Sequence, residues 1–154
     1  MRILLLTVLC FGCGNPDNAF LNANLDENET AWAQETMTSL CQESMGYCCA
    51  SIDNNGDNTL VIVTYLPNNY SALTEYDELD IGGYSPSITS ILDLSGNEES
   101  YYKYAFQCLL KHELCHHCTH NKNHIANGNM MSSNALYFPQ DCKLTLEDLK
   151  YIKG

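Results

Sequence analysis

The residues best able to do chemistry lie together in one stretch, KHELCHHCTHNKNHIANGNMMSS, residues 111–133. All five histidines of the chain occur there. The stretch opens with HELCH at 112–116, two histidines four positions apart with a glutamate beside the first. Residues four apart on an α-helix lie on the same face about 6 Å from each other, so both imidazoles can direct a nitrogen at one ion.

This spacing predicts a zinc site. His112 and His116 are expected to bind Zn²⁺, and Glu113 is expected to act as general base on a water held by the ion. Together these residues would hydrolyse a peptide bond, with the zinc polarising the scissile carbonyl. The alternative reading is a tract of surface histidines or of histidines packed in a core.

A site of this kind needs a third protein ligand. His120 would lie about 12 Å along a continuous helix from His112, so it could bind only if the chain turned at Thr119. Thr119 is β-branched and poorly suited to the left-handed conformation that ends helices, whereas Asn121 adopts it more readily. We therefore expect the helix to end at Asn121 and favour His124 over His120 as the third ligand.

The same stretch contains C-x-x-C, from Cys115 to Cys118. A redox pair would be expected at the beginning of a helix, where the helix dipole lowers a thiol pKa, but this pair falls near the end of one. A structural zinc site built from Cys115, Cys118 and neighbouring histidines is the stronger rival. Disulfide bonds to other segments are the use that we favour.

The elements that must position these residues are predicted from periodicity and capping signals. An amphipathic helix is expected over 26–46, with a capping box formed by Asp26 and Glu29. Buried strands are expected over 59–66 and 87–94, with a loop from 76 to 86 between them. The motif-bearing helix should begin after residues 95–98, and a final helix should be capped by Thr145 and Asp148. The polar run 53–58 is expected to be a plain turn and not a calcium loop.

Residues 109–132 carry a resemblance to the catalytic helix and Met-turn of the metzincin zinc peptidases, closest to the small matrixin-type domains. The family pattern is HExxHxxGxxH, then a methionine-bearing turn and a terminal helix. His112, Glu113 and His116 match it, Asn129–Ser132 looks like the Met-turn with Met131 beneath the zinc, and 144–154 looks like the terminal helix. Thr119 and Lys122 stand where the family has glycine and the third histidine.

The resemblance spans about residues 59–154 and implies an α+β zincin domain. A twisted sheet would pack against an N-terminal helix and the HExxH helix, with the Met-turn and a C-terminal helix following. The strand over 87–94 would be the edge strand along which a protein or peptide substrate lies. A competing function is a disulfide-stapled zinc-binding protein that keeps this fold without turnover.

The N-terminus predicts export. Residues 1–12 read as a signal peptide, because a single basic residue precedes an apolar run too short to span a bilayer. Gly12 before Cys13 is similar to a bacterial lipoprotein processing site, which would make Cys13 the lipidated first residue of an envelope protein; the alternative is simple secretion. Residues 13–28 are expected to be a tether and 29–154 the peptidase domain, monomeric and bound to the membrane only through the lipid.

Charge and cysteine content limit the partners and the compartment. The formal net charge is −12, so phosphate backbones would repel the chain and nucleic acid is not an expected partner. The chain has nine cysteines, which in an exported protein favours disulfides. Without Cys10 and Cys13 an odd number remains, so we expect at most three bridges and one free thiol, with at least one bridge joining the motif-bearing helix to another segment.

Overall fold

A five-stranded mixed sheet and three helices form the part of the chain that the computed structural model describes, residues 18–76 and 86–154. The strands are β1 (Ala19–Asn22), β2 (Ser51–Ile52), β3 (Asn58–Val63), β4 (Ala72–Tyr76) and β5 (Ser87–Leu92). The helices are α1 (Glu27–Glu43), α2 (Glu99–Thr119) and α3 (Leu146–Lys153), and short 3₁₀ turns occupy Pro67–Asn69 and Ala135–Tyr137. The α+β class is therefore confirmed.

The order of the strands corrects the expected substrate edge. The sheet runs β2-β1-β3-β5-β4, in which only β4 is antiparallel to its neighbour. Strand β5 was predicted to be the edge, but it pairs with β3 on one side and with β4 on the other. The edge beside α2 is β4, a short polar strand (ALTEY) that the sequence did not predict, because its conformation depends on pairing with β5 and not on its own propensity.

The stretch predicted to be a tether contributes an interior strand of the sheet. Residues 19–22 form β1, which lies between β2 and β3 and pairs in parallel with both. Phe20 is fully buried and touches the ring of His117 on α2 at 4.9 Å between centroids. The packed domain therefore begins at least as early as Ala19. The sequence did not predict this strand, because four residues are stabilised here by neighbouring strands on both sides and not by their local pattern.

Both predicted capping boxes are present. Asp26 accepts a hydrogen bond from the backbone N–H of Glu29 while the Glu29 carboxylate accepts from the N–H of Asp26, both at 2.8 Å. Thr145 and Asp148 make the same reciprocal pair at the start of α3. Helix α1 ends at Glu43, three residues before the predicted end, because Met45 and Gly46 both adopt positive φ.

The polar run after β2 is a turn, as expected. The Asp53 carboxylate accepts from the N–H of Asn55 at 2.9 Å, and its carbonyl accepts from the N–H of Gly56 at 2.9 Å. A Cβ at Gly56 would lie 2.6 Å from the carbonyl oxygen of Ala19, so only glycine lets this turn approach the backbone of β1.

Helix α2 is the central element of the core. It contacts α1, α3, β4 and β5, and it is buried from Tyr102 to His117 on more than one face, as its apolar pattern predicted. The main cluster combines side chains from α1, the sheet and α2, including Phe20, Met37, Leu40, Leu60, Ile91, Phe106, Leu110 and Leu114. The five positions from 112 to 116 are thereby held on a rigid, buried helix.

Three disulfide pairs fix α2 and its neighbours. Cys41 pairs with Cys49, Cys48 with Cys118, and Cys108 with Cys142, while Cys115 is a buried free thiol. Two of the pairs join α2 to other segments, which agrees with the expected count and placement. Cys115 and Cys118 are not partners, so this arrangement gives no C-x-x-C redox pair.

Candidate metal centre

Helix α2 is terminated by His120, one residue before the predicted Asn121, and this turn decides which histidine can approach the motif. The last helical residue is Thr119, and His120 adopts the left-handed conformation with φ 50° and ψ 30°. Histidine is among the residues that tolerate this region, which the expectation of an end at Asn121 overlooked. The Thr119 hydroxyl donates to the carbonyl of Cys115 at 2.8 Å and accepts from the N–H of Asn121 at 3.2 Å, closing the helix end.

After this turn the chain brings His124 back to the motif. The Nε2 atom of His116 lies 3.0 Å from that of His112 and 3.3 Å from that of His124. The rings of His112 and His124 stack at 5.3 Å between centroids, and each is edge-on to His116. The ring of His120 instead packs against the ring of Tyr76, with 5.3 Å between centroids and a tilt of 33°. Among the residues that the structure describes, only His112, His116 and His124 form a group able to hold a metal ion.

Hydrogen bonds on the far side of two rings fix which nitrogen faces the centre. The Nδ1 atom of His112 is 2.5 Å from the carbonyl oxygen of Met130, and the Nδ1 atom of His116 is 2.6 Å from the carbonyl oxygen of Asn121. A carbonyl can only accept, so each Nδ1 carries the proton and donates it. Neutral rings held this way present unprotonated Nε2 atoms to the centre.

Burial keeps these rings neutral. It lowers the pKa of His112 to about 3, with a further lowering by His116 and an opposing effect from the Met130 bond. It also lowers the pKa of His116 to about 4, and it lowers that of His124, whose side chain is more exposed. At neutral pH the centre therefore consists of three uncharged imidazoles, the form that binds a metal.

The donor set fits a zinc ion. The Nε2 atoms of His112 and His116 lie 3.0 Å apart, and neither carries a proton. A cation between the two lone pairs would stabilise this arrangement. Two nitrogens bound at about 2.1 Å to a tetrahedral zinc lie about 3.4 Å from each other, close to the separations in this cluster. Three imidazoles on a tetrahedral ion would leave the fourth position for water or substrate.

Glu113 lies in a buried environment beside the cluster. Burial raises its pKa to about 7, while hydrogen bonds from Thr74 on β4 oppose the rise. The Thr74 hydroxyl also lies 3.3 Å from the Glu113 carbonyl and 3.3 Å from the Thr89 hydroxyl on β5. A carboxylate with a pKa near neutrality can both accept and release a proton. The helix and the edge strand thus position Glu113 jointly.

The segment predicted to be the Met-turn contacts His112. Met130 and Met131 are fully buried, and the carboxylate of Asp148 on α3 accepts from both of their N–H groups at 2.9 Å. The Met130 carbonyl is the group that holds His112, and the Met131 carbonyl accepts from the N–H of Ile125 at 2.9 Å, next to His124.

Several supporting residues were not found from the sequence. Asp148 was expected only to cap α3, and the roles of Thr74, Asn121 and Tyr151 carry no local signal. Tyr151 donates from its hydroxyl to the Asn121 carbonyl at 2.6 Å, and burial raises the pKa of this phenol to about 12. The polar identity of Asp148 within an otherwise apolar helix face was the one available clue.

A cleft runs past the cluster between three segments of the chain. One wall is formed by residues 68–76, which include β4, another by α2, and a third by residues 132–138 after the Met-turn. His112, Glu113, His116 and His124 all line it. The ring of Phe138 stacks on His112 at 5.2 Å, so the third wall touches the cluster directly.

Comparisons with protein-family models, with curated proteins and with solved structures found no match. None of the helices over residues 18–76 and 86–154 is long and apolar enough to cross a membrane. The expected signal peptide and Cys13 lie outside the described residues.

Proposed function

We propose that this protein is a zinc-dependent endopeptidase with a metzincin-like active site. The observation that carries the proposal is the convergence of the Nε2 atoms of three histidines beside a buried glutamate in an open cleft. A packed core histidine would use both ring nitrogens in bonds to protein, whereas His112 and His116 use Nδ1 for that purpose and leave Nε2 to the centre.

The histidines and the glutamate then have different roles. His112, His116 and His124 hold the zinc, which when bound supplies a Lewis acid that polarises the scissile carbonyl and makes water easier to deprotonate. Glu113 accepts the proton of the attacking water at its carboxylate and passes it to the leaving amine. Its burial, which raises its pKa to about 7, suits both transfers.

The substrate binds as an extended peptide along β4. This strand pairs with β5 on one side and lines the cleft on the other, so its outer backbone groups can form a ladder with a peptide. The edge assigned to β5 from the sequence is thus replaced by β4.

The competing function, a zinc-binding protein without turnover, shares the cluster and differs in the need for Glu113. Metal analysis of the purified protein, together with cleavage of a peptide library, separates the two. Zinc at one equivalent with cleavage supports the peptidase, zinc without cleavage supports the binding protein, and absence of zinc contradicts both.

The third ligand is tested by a matched pair of variants. His124→Ala should lose most of the zinc and the activity, because His124 completes the cluster. His120→Ala should keep both, since its ring packs against Tyr76 and is not part of the cluster. The reverse result would return the ligand role to His120.

A further inference from the structure

The hydroxyl of Tyr151 shares a carbonyl with the second helical histidine. The carbonyl oxygen of Asn121 accepts from Tyr151 at 2.6 Å and from Nδ1 of His116 at 2.6 Å. The two donor atoms lie 3.3 Å apart, as expected for two groups that converge on one acceptor. A carbonyl oxygen has two lone pairs and can satisfy both donors at once.

Asn121 stands where the loop to His124 begins. It follows the left-handed His120, its N–H donates to the Thr119 hydroxyl at 3.2 Å, and its side chain accepts from the N–H of Asn123 at 2.9 Å. The orientation of the Asn121 backbone therefore affects both the ring of His116 and the path by which His124 reaches the cluster.

Helix α3 supports both helical histidines from one side. Asp148 holds the N–H groups of Met130 and Met131, and the Met130 carbonyl holds His112. Tyr151, three residues later on the same face of α3, holds the carbonyl that orients His116. Asp148 thus acts on His112 through Met130, and Tyr151 acts on His116 through Asn121. The Tyr151 hydroxyl can be removed without changing the packing of the ring.

We propose that Tyr151 is a positioning residue for the three-histidine centre. Its hydroxyl fixes the Asn121 carbonyl, which aims Nε2 of His116 at the ion and places the loop that carries His124. This inference rests on the proposed function, since it requires that the cluster binds zinc. Groups that orient metal-binding histidines typically contribute 10- to 100-fold to metal affinity, so the effect of losing the hydroxyl should be measurable.

The test compares Tyr151→Phe with Tyr65→Phe in the full chain. Tyr65 is 77% exposed, so its variant controls for loss of a hydroxyl as such. Zinc affinity is measured by competition with a chromogenic chelator, the unfolding midpoint of the metal-free protein by circular dichroism, and ligand geometry by the absorption spectrum of the cobalt-substituted protein. Tyr151→Phe should bind zinc about tenfold or more weakly and shift the cobalt bands, while the metal-free midpoint stays near that of the control.

Zinc affinity within twofold of wild type, with an unchanged cobalt spectrum, would overturn the positioning role. So would a loss of affinity accompanied by a large fall in the metal-free midpoint and unaltered cobalt bands, because that pattern indicates a role in folding alone. A wild-type protein that binds no zinc would refute the proposed function itself, and this is seen before any variant is compared.

A measurement on the wild type covers the case in which the variant does not fold. In the metal-free protein, nitrogen NMR of the imidazoles should show His116 as the tautomer with the proton on Nδ1. A proton on Nε2 would mean that the ring does not donate to Asn121, and the inference would fail.

Discussion

At the scale of single residues, Glu113 carries the clearest prediction. Glu113→Gln keeps the size and burial of the side chain but cannot accept a proton, so zinc should remain bound while hydrolysis falls by at least about 10²-fold. Zinc content and peptide cleavage are measured on the same preparation, with Glu99→Gln in the exposed first turn of α2 as the control. Full activity in Glu113→Gln would contradict the role of this residue as general base.

The lowered pKa values of the histidines give a second prediction, on the pH dependence of zinc binding. The neutral ring is the ligand, so protons compete with zinc only as the pH approaches the pKa of the folded protein, about 3 for His112 and about 4 for His116. We expect zinc affinity to fall less between pH 7 and pH 5 than it would for three exposed imidazoles, because burial lowers the pKa of His112, His116 and His124. An exposed imidazole with a pKa of about 6.5 would instead weaken binding by about 30-fold per ring over that range.

Chelator competition at several pH values measures this dependence. A steep fall that begins near pH 6.5 would show that these rings are solvated and titrate normally. The metal-free protein should lose stability as the pH falls from about 6.5 toward 4, because the unfolded chain takes up protons on His112 and His116 before the folded protein does. Glu113, whose raised pKa lets the folded protein take up a proton first, offsets only part of this loss.

At the scale of elements, the turn between β2 and β3 supplies the third prediction. Gly56→Ala places a Cβ 2.6 Å from the Ala19 carbonyl oxygen, so the turn or β1 must shift, and the free energy of unfolding should fall by about 1–3 kcal/mol. Gly96→Ala is the matched control, because a Cβ there meets nothing within 4 Å. Denaturant titration of both variants measures the difference, and equal stabilities would contradict the interior position of β1.

The final helix shows how one polar residue changes the orientation of an element. In this helix the apolar Leu146 is 77% exposed, whereas the charged Asp148 is fully buried. The Asp148 carboxylate is retained inside because it accepts from Thr145, Met130 and Met131. Without this buried acceptor the backbone N–H groups of Met130 and Met131 would be unpaired, which is costly. The helix therefore turns its Asp148 side toward the Met-turn.

At the scale of the whole molecule, we propose that the protein is exported and anchored by a lipid on Cys13. The three disulfide pairs fit an oxidising compartment, and Gly12-Cys13 supplies the attachment site. Metabolic labelling with a fatty-acid analogue should mark the wild type and fail on Cys13→Ser, while Cys115→Ser, which removes a buried thiol, should still be labelled. An unlabelled wild type found in the soluble fraction would leave only simple secretion.

The sequence by itself determined the local features. The HExxH spacing, both capping boxes, the buried character of α2 and the number of possible bridges are properties of short segments, because capping and helix periodicity depend on residues within a few positions. Tertiary structure decided the rest. Four-residue β1 and polar β4 exist only through their neighbours in the sheet, and His124 meets His112 and His116 only because the chain reverses at His120. Asp148 and Tyr151 reach the site across gaps of 18 and 30 residues, to Met130 and Asn121, that no local pattern encodes.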